Sequence, residues 1–252
     1  MSEILSDLVA EGMRLLGRAR SNQLPLRLLG GVAIRLRAPG ELPRAFERRY
    51  ADLDFVTGKR SSRDAQRFFA EAGYEPHVAF NALHGQERLL FFDRENDRQV
   101  DVFIGAFAMS HRIPIGERLE LERDTVPLAE LLLTKLQIAE LNEKDVRDAL
   151  AILHGHPVGE SDGDSVNAAR IAEVCSGDWG LWRTFTGNLS TCREHVDRYE
   201  LPADEKGRLR ERIDEVLQRV EREPKSRGWK LRAKIGERKR WYELPEEVAG
   251  GP

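Results

Sequence analysis

The sequence predicts an α+β fold, in which a mixed β-sheet core flanked by helices is followed by an all-helical C-terminal region. Before Pro127, short apolar segments alternate with amphipathic ones, as expected where strands and helices are mixed. After Pro127 the apolar residues recur mostly at helical spacing. The chain has 252 residues, 40% of them apolar and 33% charged, which is enough to build a hydrophobic core beneath a charged surface.

Charge and cysteine content narrow the class of protein. The net charge of −3 gives the whole molecule no strong attraction to polyanions, although a local basic patch is compatible with it. The two cysteines, Cys175 and Cys192, exclude a disulfide scaffold or a cysteine-based zinc site and indicate a reducing compartment. The acidic, amphipathic N-terminus does not look like a signal peptide, and no apolar run approaches the roughly 18 residues of a membrane span. We therefore expect a cytoplasmic protein without membrane contact.

The elements of the first part follow from the apolar pattern and its interruptions. Apolar residues at helical spacing predict an amphipathic helix over 3–20, and the apolar segment 24–29 predicts a strand that ends at Gly30-Gly31 and leads into a helix. Pro39, Gly40 and Pro43 then indicate a loop. The remaining predictions are a strand at 51–57, a helix at 61–73, and strands at 77–83, 87–92 and 98–105.

The second part of the chain is predicted to be helical. Pro127 suits a first helical turn, and helices are predicted over 127–142 and 144–153. The Gly-, Ser- and Asp-rich segment 155–165 is the best linker candidate, so we expect a catalytic-type domain at 1–155 and a helical domain at 156–252. The tail, 225–240, holds eight basic residues and a single acid, Glu237.

Two aspartates on one predicted strand are the first candidate for chemistry. Side chains alternate along a strand, so Asp52 and Asp54 share one face while Leu53 and Phe55 share the other. Two neighbouring carboxylates repel each other unless water or a cation lies between them. The pair therefore indicates either a strand end that reaches solvent or a site for a divalent metal.

A third acid and a glycine pair extend this pattern. Asp101 is embedded in the apolar strand QVDVFI, and three convergent carboxylates are what two-metal phosphoryl or nucleotidyl transfer requires. Gly30-Gly31, between a strand and a helix, would let bare backbone N–H groups approach a phosphate. Each feature alone has a plain structural explanation, as a strand edge or a tight turn.

In their order along the chain, LLGG-VAIRL, DLDFVT and QVDVFI resemble the DNA polymerase beta-type nucleotidyltransferase superfamily. The segment LLLTKLQIAELNEKDVRDAL is similar, more narrowly, to the AbiEii-type toxin nucleotidyltransferases, which carry a lysine in a "KL" helix and a basic-Asp-x-x-Asp-Leu element. The resemblance covers residues 25–155. It implies an enzyme of the nucleotidyltransferase fold that uses Mg²⁺ or Mn²⁺ and an NTP.

Site roles are implied by this resemblance. Asp52, Asp54 and Asp101 would bind the metal, with Asp101 also acting as base. Gly30 and Gly31 would hold the β- and γ-phosphates of the NTP. Lys135 would place a cation near the nucleotide, and Asp148 would orient Lys135 or the acceptor.

Without the resemblance, Lys135 is equally compatible with a structural role, in which the aliphatic part of its side chain lies along an amphipathic helix. For Asp145 and Asp148, the sequence alone favours ion pairs with Lys144 and Arg147 on the surface of the helix.

One departure from the family pattern lies between Gly31 and Asp52, which are separated by more residues than is usual there. The extra segment APGELPRAFERRY carries Arg44, Arg48 and Arg49, which would lie near the triphosphate, with Arg49 as a nucleotide-binding residue. Loops tolerate such insertions at low cost. The insertion nevertheless leaves the geometry between glycines and aspartates open, and with it the question of whether the protein turns over.

Three functional hypotheses remain at this point. The first is NMP transfer to RNA, such as a tRNA 3′ end, in a toxin–antitoxin-like context with a cognate antitoxin. Here the basic tail with Trp229 and Trp241 would contact the RNA. The second is transfer to a small molecule of the aminoglycoside type. The third is a nucleotide-binding interaction protein without turnover.

Overall fold

The computed structural model describes residues 4–244 and confirms the α+β class, with a five-stranded mixed sheet followed by a helical C-terminal region. The elements of the sheet region are α1 (Leu8–Ser21), β1 (Leu26–Leu29), α2 (Gly30–Arg37), β2 (Asp52–Thr57), α3 (Ser62–Glu71), β3 (Glu75–Pro76), α4 (Val78–His84), β4 (Arg88–Asp93), β5 (Arg98–Ile104), β6 (Ala106–Ala108) and β7 (Arg112–Pro114). Strands β6 and β7 form a separate hairpin.

The order of strands in the sheet is β1-β2-β5-β4-β3. Strands β2 and β5 pair in parallel, and the other pairs are antiparallel. In the parallel register, Asp54 lies directly opposite Asp101, while Leu53 and Phe55 alternate with the acids and are fully buried. The sheet therefore places the two predicted acidic strands side by side, with their carboxylates on one face and apolar side chains on the other.

The strand predicted over 77–83 is wrong, because this segment forms the helix α4. Its first turn is capped by His77, whose Nδ1 accepts from the N–H of Phe80. The helix aims the amide of Asn81 at the edge of β4, where it donates to the carbonyl of Leu90 (3.0 Å) and accepts from its N–H (2.7 Å). The Asn81 side chain, with the N–H of His77 that also donates to the Leu90 carbonyl (2.9 Å), thus satisfies backbone groups that a further strand would have paired.

The helical part comprises α5 (Leu128–Leu136), α6 (Glu143–Gly155), α7 (Ala168–Gly177), α8 (Trp179–His195), α9 (Ala203–Arg222) and α10 (Arg227–Ile235). The helix predicted over 127–142 is too long. It ends at Leu136 because Asn188 of α8 donates to the carbonyls of Leu136 (3.0 Å) and Ile138 (2.7 Å), replacing helical hydrogen bonds.

The proposed linker, 155–165, contains the short strand β8 (Val158–Gly159), which pairs in parallel with β9 (Val166–Asn167) directly after it. Buried apolar residues form one continuous cluster from α1 to α9, with α5 in contact with both the sheet side and the C-terminal helices. The division at 155 stays a prediction. None of the helices within residues 4–244 combines the length and apolar character needed to cross a membrane.

Candidate active site

The three predicted carboxylates meet at one end of the parallel pair β2–β5. Asp52 begins β2 and is exposed, Asp54 is partly buried, and Asp101 is buried on β5. Burial, followed by the charges of Asp52 and Asp101, raises the pKa of Asp54 to about 8. The positive charges of Lys135 and Arg88 lower the pKa of Asp54, but by less. Asp54 therefore lies in an excess of negative charge, in a position that a cation would stabilise.

Asp101 is more fully engaged than the sequence suggested. Its Oδ1 accepts from Nε of Arg88 at 2.6 Å, and its Oδ2 accepts from Nε2 of Gln99 at 2.8 Å. Arg88 lies on β4, two positions from Leu90, the residue that pairs with Asp101 across the sheet. Sequence reasoning missed Arg88, because its proximity to Asp101 follows from the register of two antiparallel strands.

The glycine pair provides room for site side chains. Gly30 has φ +64°, and a Cβ built on it would lie 2.0 Å from Oδ2 of Asp54. A Cβ on Gly31 would lie 2.2 Å from Nη2 of Arg48 and 2.7 Å from the ring of Tyr50. Gly30 also opens α2, so its backbone and the carboxylate of Asp54 are held in close contact. The predicted phosphate-binding role of both glycines is compatible with this arrangement and stays a prediction.

A second charged cluster, formed by Arg48, Asp148 and Lys135, joins the inserted loop to α5 and α6. Arg48 binds Asp148 through two hydrogen bonds, Nε to Oδ1 at 2.8 Å and Nη2 to Oδ2 at 2.7 Å. Nζ of Lys135 lies 2.8 Å from Oδ2 of Asp148 and 3.4 Å from Oδ1 of Asp145. The guanidinium of Arg48 also lies over the ring of Tyr50 at 4.6 Å.

Electrostatics in this cluster favour the charged forms. Burial opposes the ammonium of Lys135, but Asp148 and Asp145 outweigh it and raise the pKa of Lys135. Burial also opposes the charge on Asp148, but Arg48 and Lys135 hold the pKa of Asp148 below its usual range. Asp148 is therefore a buried acid joined to Lys135, and the interpretation as a surface partner of Arg147 was wrong. Arg147 pairs with Glu143 instead, at 3.0 Å.

The inserted arginines differ in position. Arg48 reaches the buried cluster, whereas Arg49 is exposed and lines a surface cavity of about 550 Å³ together with Arg35, Glu41 and Tyr50. Arg44 lies in a short 3-10 turn, Arg44–Phe46. Arg48 is thus the inserted arginine that bonds to a predicted site residue, and a nucleotide contact by Arg49 stays a prediction.

Among the three predicted metal ligands, Asp52 and Asp54 are the best suited to bind a divalent metal. Within residues 4–244, no three His, Cys, Asp or Glu side chains form a ready group of metal ligands. Asp52 and Asp54 nevertheless suit a hard cation, since both are carboxylates on one strand face and Asp54 is crowded by negative charge. Asp101 could join them through the lone pairs that its hydrogen bonds with Arg88 and Gln99 leave free.

Comparisons with known proteins add little. The chain matches no known family model and no curated protein sequence. Among solved structures, it is similar to the crystal structure of a tRNA nucleotidyltransferase complexed with a primer tRNA and an incoming ATP analog, at 13% identity and a TM-score of 0.28. The match covers 90% of this chain but 64% of that chain, less than two thirds of its length. A similarity this weak supports no functional argument.

Proposed function

We propose that this protein is a metal-dependent nucleotidyltransferase that moves NMP from an NTP to the hydroxyl of an RNA acceptor. The observation that carries the proposal is the position of Asp54, opposite Asp101, against Gly30 and beside Lys135. Structural carboxylates are normally neutralised by partners, so a crowded acid near the start of a strand, beside a half-buried lysine, is typical of a catalytic site.

In this proposal Asp52 and Asp54 would hold Mg²⁺ or Mn²⁺, with Asp101 as a third ligand. When bound, the ion would neutralise the triphosphate and favour ionisation of the attacking hydroxyl. Asp101 would accept the proton of that hydroxyl as the oxygen bonds to the α-phosphorus. The bond from the α-phosphorus to its bridging oxygen would break, releasing pyrophosphate. Lys135, held by Asp148, would stabilise negative charge on the phosphates, and the N–H groups at the start of α2 would contact them.

The choice of acceptor rests on sequence features. The resemblance to AbiEii-type toxins favours RNA, such as a tRNA 3′ end, and a toxin–antitoxin context with a cognate antitoxin. The cationic tail favours a polyanionic acceptor over an aminoglycoside, whose own charge is positive. The helical region from residue 156 onward would then supply the acceptor surface.

A second candidate function is nucleotide binding without turnover. It is favoured by one observation, that both oxygens of Asp101 already accept hydrogen bonds. These hydrogen bonds fix the orientation of the carboxylate and occupy part of its acceptor capacity, so Asp101 is a poorer base and metal ligand while both partners stay in place. The two candidates differ in whether pyrophosphate is released.

The experiment incubates the protein with each labelled NTP, Mg²⁺ and total tRNA, and follows label in RNA and released pyrophosphate. We expect transfer from at least one NTP, abolished in Asp52→Asn and retained in the control Asp64→Asn, an exposed acid on α3 that pairs with Arg67. Tight binding of the metal–NTP complex by calorimetry without pyrophosphate release would favour the second candidate. Equal transfer by wild type and Asp52→Asn would overturn the proposed site.

A further inference from the structure

Two adjoining cavities lead from the basic tail toward Asp101, and together they are called the acceptor groove here. The outer cavity, of about 670 Å³, lies between the β6–β7 hairpin, the start of α8 and the tail segment 239–243. The inner cavity, of about 230 Å³, lies between α4, β4 and the same hairpin. Glu87, Ala108, Met109 and Glu243 line both cavities, so the two are continuous.

The outer end of the acceptor groove combines cations with aromatic rings. Lys239 and Arg240 are exposed and line it next to Trp241 and Tyr242. Neither cation forms an ion pair within the part of the chain that the structure describes, and the acid of the tail, Glu237, is paired with Arg183. Cations beside aromatic rings suit a single-stranded nucleic acid, whose phosphates need positive charge and whose bases stack on rings.

The wall formed by the tail is fixed in place. Arg232 donates to the carbonyls of Gly236 and Lys239, both at 2.6 Å, and lies over the ring of Trp179. The N–H of Glu243 donates to the carbonyl of Ser110 at 3.0 Å, which attaches the tail to the hairpin. The groove is therefore preformed, so ligand binding does not require a loss of conformational entropy to order this wall.

The inner end of the acceptor groove reaches the candidate active site through Arg88. This residue lines the inner cavity, donates to Asp101 through Nε and contacts Sδ of Met109 through Nη1 at 3.7 Å. A phosphate or ribose hydroxyl at this point could take over hydrogen bonds from the guanidinium. Arg88 would then be released, at least in part, from the carboxylate that the proposed reaction needs as a base.

We propose that the acceptor groove binds the 3′-terminal nucleotides of a single-stranded RNA, with the terminal hydroxyl at the Arg88 end and preceding phosphates at Lys239 and Arg240. The orientation of the RNA in this inference rests on the proposed function, whereas the binding of RNA in the groove does not. The acids in the groove, Glu87, Asp178 and Glu243, repel phosphates and carboxylates alike, so they do not separate RNA from an acidic peptide. The aromatic side chains Trp241 and Tyr242 favour RNA, because a purely acidic peptide has no bases to stack on them.

Binding is tested by fluorescence anisotropy with a labelled single-stranded RNA of about eight nucleotides. We expect Lys239→Glu/Arg240→Glu to weaken binding at least about tenfold and to flatten the salt dependence by roughly 1.4 in log–log slope, for two lost phosphate contacts. The matched control, Lys59→Glu/Arg60→Glu, changes the same charge at two exposed residues after β2, outside both the groove and the tail, and should weaken binding less than about threefold. Equal losses in both variants would overturn the groove. Stronger binding of poly-glutamate than of RNA would also overturn it, in favour of an acidic protein partner.

Orientation is tested by photo-crosslinking with 4-thiouridine at either end of the same RNA. A 3′-terminal probe should label the peptide containing Arg88, and a 5′-terminal probe the segment 239–243. The reverse pattern, or labelling outside both, would overturn the orientation. Because neither assay needs an NTP or turnover, RNA bound in the groove without nucleotidyl transfer would refute the proposed function alone. Transfer to RNA that is insensitive to Lys239→Glu/Arg240→Glu would refute the groove alone.

Discussion

Helix α5 carries two charged side chains whose surroundings are opposite. Glu130, fully buried, accepts from Nε of Arg118 at 2.5 Å and from Nε of Arg170 at 3.0 Å, and so connects α5 to the 3-10 segment Gly116–Leu121 and to α7. Lys135 faces the acids Asp148 and Asp54 at the edge of the carboxylate cluster. The first group is neutralised and stabilises the fold. The second belongs to a region whose acids are left in excess, which costs stability and indicates function.

The largest expected effect separates activity from stability at Asp54. Asp54→Asn keeps the shape but removes a carboxyl whose ionisation is opposed by burial and by Asp52 and Asp101. Because the amide cannot become a carboxylate ligand for the metal, nucleotidyl transfer should fall by about 10³-fold or more, roughly 4 kcal/mol in the barrier. The free energy of unfolding should stay the same or rise. Labelled-NTP transfer and urea unfolding, with Asp64→Asn as control, measure the two quantities. A variant that loses stability instead would show that Asp54 is a structural acid like Glu130.

The converse effect is expected at Glu130. Glu130→Gln removes the fully buried carboxylate that Arg118 and Arg170 share. Within residues 4–244, these two half-buried arginines then keep only Asp162 and Glu173 as carboxylate partners. Unfolding should therefore require about 3 kcal/mol less free energy. Transfer per folded molecule should be close to that of wild type. Urea unfolding followed by circular dichroism measures the loss, and Glu117→Gln, an exposed acid of the same 3-10 segment, is the control. A loss as small as that of the control would mean that neutralised buried charge does not stabilise this fold.

Arg48 should show a smaller, pH-dependent effect. Arg48→Met removes both hydrogen bonds to Asp148 and should cost about 2 kcal/mol at neutral pH. The pKa of Asp148 is lowered in the folded state, so its contribution is present above the unfolded value of about 3.9 and is lost as the pH falls through the folded value. The stability difference from wild type should therefore shrink toward about pH 3. Urea unfolding across this pH range measures the difference, with Arg49→Met, at the exposed neighbouring residue, as control. A stability difference that does not depend on pH would show that the Arg48–Asp148 pair is not its source.

The smallest effect is expected one residue away from Asp148. Arg147 pairs with Glu143 on the exposed side of α6, so Arg147→Ala should change the unfolding free energy by no more than about 0.5 kcal/mol. Thermal unfolding in low and moderate salt is sufficient to measure it. A loss of unfolding free energy comparable to that of Arg48→Met would mean that the more exposed pair Arg147–Glu143 stabilises the fold as much as the buried pair Arg48–Asp148.

Much of the sheet and part of the site could be predicted from the chain. Alternation placed Asp52, Asp54 and Asp101 on strands, and the glycine pair indicated the junction of β1 and α2. Pattern alone could not identify α4, because its apolar residues, 78–80, 82 and 83, form a short run that suits a buried strand as well as a helix. The capping by His77 and the contact of Asn81 with Leu90 depend on the folded structure. Position along the helix suggested a surface role for Asp148, whereas Arg48, distant in sequence, makes it a buried partner.

Asn81 has a consequence for how the protein behaves among its own copies. Strand β3 covers only the positions of Phe91 and Phe92 on the outer side of β4. At Leu90, the N–H donates to the amide oxygen of Asn81, and the carbonyl accepts from the Asn81 amide and from the N–H of His77. An uncovered edge would be a template on which a strand of another molecule could pair, the first step toward intermolecular sheets. The carboxamide of Asn81, together with the N–H of His77, thus protects this edge against self-association. Loss of the carboxamide should appear first as turbidity at high concentration rather than as lost activity.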